Sequence, residues 1–111
     1  MDMEKSTEIS RLRLAFEQQM RRINRDTLNP MIKELSLAGL EPVQRMVAEA
    51  RGNYLKAVLE IASAADGHLP DDPQIKVLHQ HRVRYDELME AARALETAIQ
   101  RGYLDIEDGH A

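Results

Sequence analysis

Cysteine is absent from the 111 residues, which excludes a disulfide framework, a thiolate metal site and a cysteine nucleophile. Tryptophan is absent too, and there are only one Phe and three Tyr. A core made from this chain must therefore be aliphatic, with six methionines as adaptable filler. No apolar run approaches the ~20 residues that a membrane span requires. The opening Met1-Asp2-Met3-Glu4-Lys5 lacks the apolar core of a signal peptide. Together with the missing cysteines, this makes a reducing cytoplasm the expected location. Glycine-rich phosphate loops and zinc-protease motifs are missing as well.

What is present is a helix former's palette. Ala, Leu, Glu and Arg dominate, with 43% hydrophobic and 31% charged residues. Eleven Arg stand against four Lys, a bias associated with GC-rich bacterial or phage coding. The net charge of −4 is unevenly placed, with residues 1–51 at +1 and residues 52–111 at −5. Neither half has the field of a dedicated nucleic-acid binder.

Proline and glycine punctuate the chain. Pro30, Pro42 and Pro73 stand where a first helical residue is expected, and Gly39, Gly67 and Gly102 stand where helices would stop. Apolar periodicity agrees. Ile9, Leu12, Phe16, Met20, Ile23 and Thr27 make one stripe. Val43, Val47, Ala50, Tyr54, Val58, Ile61 and Ala65 make a second that runs straight through Gly52. Leu78, Tyr85, Leu88, Met89, Ala92, Leu95, Ile99 and Tyr103 make a third.

The predicted fold is all-α: an antiparallel three-helix bundle with long helices over about 6–28, 42–66 and 73–102, and a short bridging helix over about 30–38. The chain is expected to be one helical domain over 1–111, with flexible termini at 1–5 and 105–111. A short connection at residues 67–71 predicts a helical hairpin in which Tyr54 meets Tyr85 and Val58 meets His81.

Little here points to chemistry. His79 and His81 are two apart and project to nearly opposite sides of a helix, so they cannot share a metal. His81 falls in the apolar stripe, where a half-buried, hydrogen-bonded histidine is the plain explanation. Glu107 and His110 have the Glu-x-x-His spacing of di-iron bundles, but once, and in a terminal tail. No serine or threonine has an evident base and orienter. The expectation is a protein that is not an enzyme, with no catalytic residue, cofactor or metal.

Two features suggest partners. Arg11, Arg21, Arg22 and Arg25 crowd the face opposite the first stripe, a small electrostatic footprint. The same arginines could serve simply as a solvated face that balances the acidic second half through Arg–carboxylate contacts. Leu14 lies off its stripe, and Leu55 and Leu59 broaden the middle helix beyond what one hairpin partner covers. The expected partner-binding residues are thus Arg11, Leu14, Arg21, Arg22, Arg25, Leu55 and Leu59. The function expected is a small protein-interaction module, an adaptor, chaperone-like or regulatory protein that self-associates or binds another protein. A nucleic-acid regulator is the alternative, using the arginine face or a weak helix-turn-helix at 30–51 with its turn at Gly39.

Overall fold

The computed structural model describes residues 3–107. They form three helices: α1 (Met3–Met31), α2 (Leu37–Ala64) and α3 (Asp72–Gln100). Among the described residues there is no strand, only an isolated bridge between Ser36 and Glu107. The all-α, three-helix reading holds. The chain divides into two compact units, Met1–Ser36 with Glu96–Ala111, and Leu37–Leu95.

The short helix expected over 30–38 is not formed. Instead α1 absorbs Pro30 in its last turn and ends at Met31, and α2 begins at Leu37. Pro30 has no N–H to bond the Asp26 carbonyl, and the helix ends one residue later. The segment between cannot continue a right-handed helix, because Glu34 is left-handed (φ 58). The Leu35 carbonyl instead accepts a hydrogen bond from the Glu107 N–H at 2.7 Å. Gly39, expected as a stop, lies in the first turn of α2, where the backbone N–H groups have no ladder partners to lose. Pro42 follows within the next turn, and Ser36 stands at the position that favours a capping hydroxyl.

The ends of α2 and α3 have definite chemical causes. At the close of α2, Gly67 N–H bonds to Ala62 C=O and Asp66 N–H to Ser63 C=O, both at 3.1 Å. This is the double-bonded stop in which a left-handed residue frees the chain from the helix, and Asp66 (φ 52) is that residue. At the start of α3, Asp71 and Gln74 exchange reciprocal bonds of 2.9 Å between side chain and backbone N–H. Asp71 rather than Asp72 is therefore the cap, and Pro73 takes the second helical position. The same stop closes α3: Tyr103 N–H bonds to Ala98 C=O at 2.8 Å and Gly102 N–H to Ile99 C=O at 3.1 Å, with Gly102 left-handed.

In the Leu37–Leu95 unit, α2 and α3 make the expected hairpin contact. The Tyr54 and Tyr85 ring centroids lie 6.0 Å apart. Arg51 stacks over the Tyr85 ring at 5.4 Å and donates to its hydroxyl at 3.2 Å. Val47, Ala57 and Ile61 are buried. In the other unit Leu104 is buried. Among the described residues these four make up the whole fully buried core, so the helices keep much of their apolar surface exposed.

Candidate interaction surface

The first helix divides along its length. Every residue from Met3 to Gln19 is exposed, whereas Met20, Asn24, Arg25, Leu28 and Asn29 are half-buried. In this second stretch Arg25 and Asn29 are bonded to the segment that follows α3. Arg25 makes a two-pronged ion pair with Asp105, both bonds at 2.8 Å, and also donates to the Gly102 carbonyl at 2.9 Å. Asn29 donates to the Tyr103 carbonyl at 3.2 Å and to the Arg25 carbonyl at 2.9 Å. The hydrogen bond and charge of Arg25 hold the Asp105 carboxyl below its ordinary pKa, and Asp105 raises that of Arg25 in return.

At 100° per residue, Arg25 lies roughly opposite Phe16 on the helix wheel. The post-α3 segment therefore bonds to the back of α1, reaches the apolar stripe only beside half-buried Met20, and leaves the rest of the stripe exposed. Ile9 is 51% exposed, Leu12 70%, Phe16 63% and Ile23 56%. The sequence assigns these residues to the core, and they are not in it. Their spacing shows that they form one face, but nothing in a single sequence shows what covers that face.

The residues expected to bind a partner are scattered over several surfaces. Arg11, Leu14 and Arg22 are exposed on α1. Arg21 lies against the turn after α3, where a Cβ built on Gly102 would sit 3.7 Å from Arg21 Cδ. Arg21 also lines an open cleft with Glu17, Met20, Arg101 and Tyr103. Arg25 is engaged with Asp105, an Arg–carboxylate contact to the acidic second half of the chain. On α2, Leu55 and Leu59 are 55% and 71% exposed. They point roughly 100–140° away from the line of Val47, Tyr54 and Ile61. The turn that a helix-turn-helix at 30–51 requires is not there, because residues 38–42 are helical.

Sequence reasoning missed Asp105, Gly102 and Asn29 as partners of Arg25. The one available signal was an acidic residue shortly beyond a glycine stop. Asp105 to Glu107, expected to begin a flexible tail, carry specific bonds to Arg25 and Leu35. Residues 108–111, including His110 of the Glu-x-x-His spacing, lie outside the described residues.

His81 is half-buried beside an open cleft of about 520 Å³ whose lining includes Met46, Glu49, Ala50, Glu87 and Leu88. Among the described residues no hydrogen bond or ion pair joins His81 to either carboxylate, and no group of three or more His, Asp or Glu could hold a metal. General acid–base work needs a base within hydrogen-bond reach of its target, and the cleft is mostly lined by carbon. No helix among the described residues is long and apolar enough to cross a membrane.

No protein-family model matches the chain, and no curated protein or solved structure matches it.

Proposed function

We propose that the protein is a small helical interaction module, adaptor-like or regulatory, acting through the apolar face of α1. The observation that carries this is the stripe Ile9, Leu12, Phe16 and Ile23, each more than half exposed on a helix whose first 17 described residues are all exposed. An isolated helix of about 12–15 residues is marginal in water, and most helical stability comes from packing an amphipathic face. A helix with this stripe is stabilised when another protein surface covers it. Large exposed apolar patches on soluble proteins mark such surfaces. The cytoplasm is the compartment we assign to it, consistent with the cysteine-free composition.

The alternative, phosphate-backbone contact through the basic back of α1, draws less support. Of its four arginines, Arg25 is neutralised by Asp105 and Arg21 lies against the Gly102 turn.

Hydrogen–deuterium exchange on the dilute chain tests the interaction assignment. Amides between Met3 and Gln19 are expected to exchange fast, while those around Val47, Ala57 and Ile61 stay protected. Strong protection of the α1 amides in a demonstrated monomer would remove the basis for the proposal, because the stripe would then already be covered.

A further inference from the structure

Building on the assignment of α1 as an interaction helix, we infer that its partner is a second copy of this chain, with the two α1 helices paired antiparallel about a twofold axis at Phe16. A twofold interface uses the same patch on both copies, so the patch must be complementary to itself. The stripe has that property. Ile9, Leu12, Phe16, Met20 and Ile23 are spaced by three, four, four and three residues, a pattern that is identical in both directions. With Phe16 on the axis, Leu12 meets the second copy's Met20 and Ile9 meets the second copy's Ile23. Every layer then sets carbon against carbon.

The flanking charges select the direction. On the helix wheel, Arg13 and Glu17 flank the stripe on one side, Glu8 and Arg22 on the other, and Lys5 lies at the N-terminal end of the stripe itself. Antiparallel pairing places Arg13 within a turn of the second copy's Glu17, Glu8 within a turn of Arg22, and Lys5 beside Asp26. Symmetry makes each pair occur twice. A parallel, in-register pair would set Lys5 against Lys5. Among the described residues Glu8, Arg13, Glu17 and Arg22 make no ion pair within the chain, so their charges are open to a second copy. The segment after α3 is bonded to the back of the helix through Arg25 and Asn29 and reaches the stripe only beside half-buried Met20, next to Arg101 and Tyr103, so pairing at Ile9, Leu12, Phe16 and Ile23 does not require its release. From Ile9 to Ile23 the seam is about 21 Å long, short for a permanent interface, so association should be reversible and concentration dependent.

The chain has no cysteine, so single introduced thiols report the geometry directly in the full-length protein. The replaced side chains are exposed, which leaves the fold intact. Under mild oxidation Phe16→Cys is expected to give a disulfide dimer and Ile9→Cys alone to stay uncrosslinked, whereas an equimolar mixture of Ile9→Cys and Ile23→Cys chains should crosslink. By sedimentation velocity, Arg13→Glu should weaken self-association about tenfold, since each rim charge acts twice across the axis. Adding Glu17→Arg should restore it. Ready self-crosslinking of Ile9→Cys would overturn the antiparallel arrangement. A monomer at all concentrations, with Phe16→Cys uncrosslinked, would overturn self-pairing. If the α1 amides exchange fast in that monomer, the interaction helix survives with a different partner. If they exchange slowly, both proposals fall.

Discussion

Arg25 shows how one side chain fixes the local architecture of its unit. Its guanidinium satisfies the Gly102 carbonyl and both Asp105 oxygens at once, which aligns the chain after α3 along the back of α1. Hydrogen bonding to Arg25 holds the Asp105 carboxyl below its ordinary pKa. The contact therefore contributes fully above the unfolded value of about 4, and it is lost as pH falls through the lower folded value. Acidification is expected to release this segment. The Glu107 amide, bonded to the Leu35 carbonyl, should lose its exchange protection across that acidic window, and Asp105→Asn should lose it already at neutral pH. Gly102 is the second fixed point. Its φ of +75 is left-handed, and the space around it is ordinary van der Waals distance from Arg21. Gly102→Ala thus suffers from backbone strain rather than a clash. It should cost about 1 kcal/mol and lower Tm by about 4–8 °C, measured by thermal denaturation in dilute solution. The glycine was legible in the sequence as a helix stop. The Arg25–Asp105 pair was not, because 80 residues separate the two and no local pattern links them.

At the scale of elements, the three apolar stripes and the short 67–71 connection were enough to place the long helices and to pair Tyr54 with Tyr85. The stretch from 30 to 42 departs from the sequence expectation because Pro30 does not start a helix and Gly39 does not stop one. Pro30 lies in the last turn of one helix, and Gly39 in the first turn of the next, where N–H groups need no ladder acceptor. The break falls between them, at left-handed Glu34, a residue type that gives no sequence signal for that conformation. Two substitutions probe the elements. Asp71→Ala removes the reciprocal cap of α3 and should destabilise by about 1 kcal/mol. Gly52 sits in the middle of α2, and a Cβ added there would meet nothing within 4 Å, so Gly52→Ala should stabilise by up to about 1 kcal/mol. Urea denaturation of each variant checks both, with opposite shifts in midpoint and an unchanged slope.

For the molecule as a whole, the sequence showed that greasy side chains recur once per helical turn, and the simplest expectation was that the chain would hide them against itself. The second and third stripes do meet, around Val47, Tyr54, Ile61 and Tyr85. The first stays largely exposed, and the hydrogen bonds and ion pair of α1 to the segment after α3 lie on its reverse side. The apolar face left open is the feature on which the proposed interaction module rests. The most direct measurement is the thermal stability of the Leu12→Glu, Phe16→Glu double variant at a concentration where the chain is monomeric, paired with sedimentation velocity at high concentration. The account predicts a monomer Tm lowered by less than about 4–8 °C, since two exposed substitutions together usually cost under about 1 kcal/mol, together with loss of association. A drop of about 10 °C or more in the monomer, the signature of charges forced into a core, would contradict it.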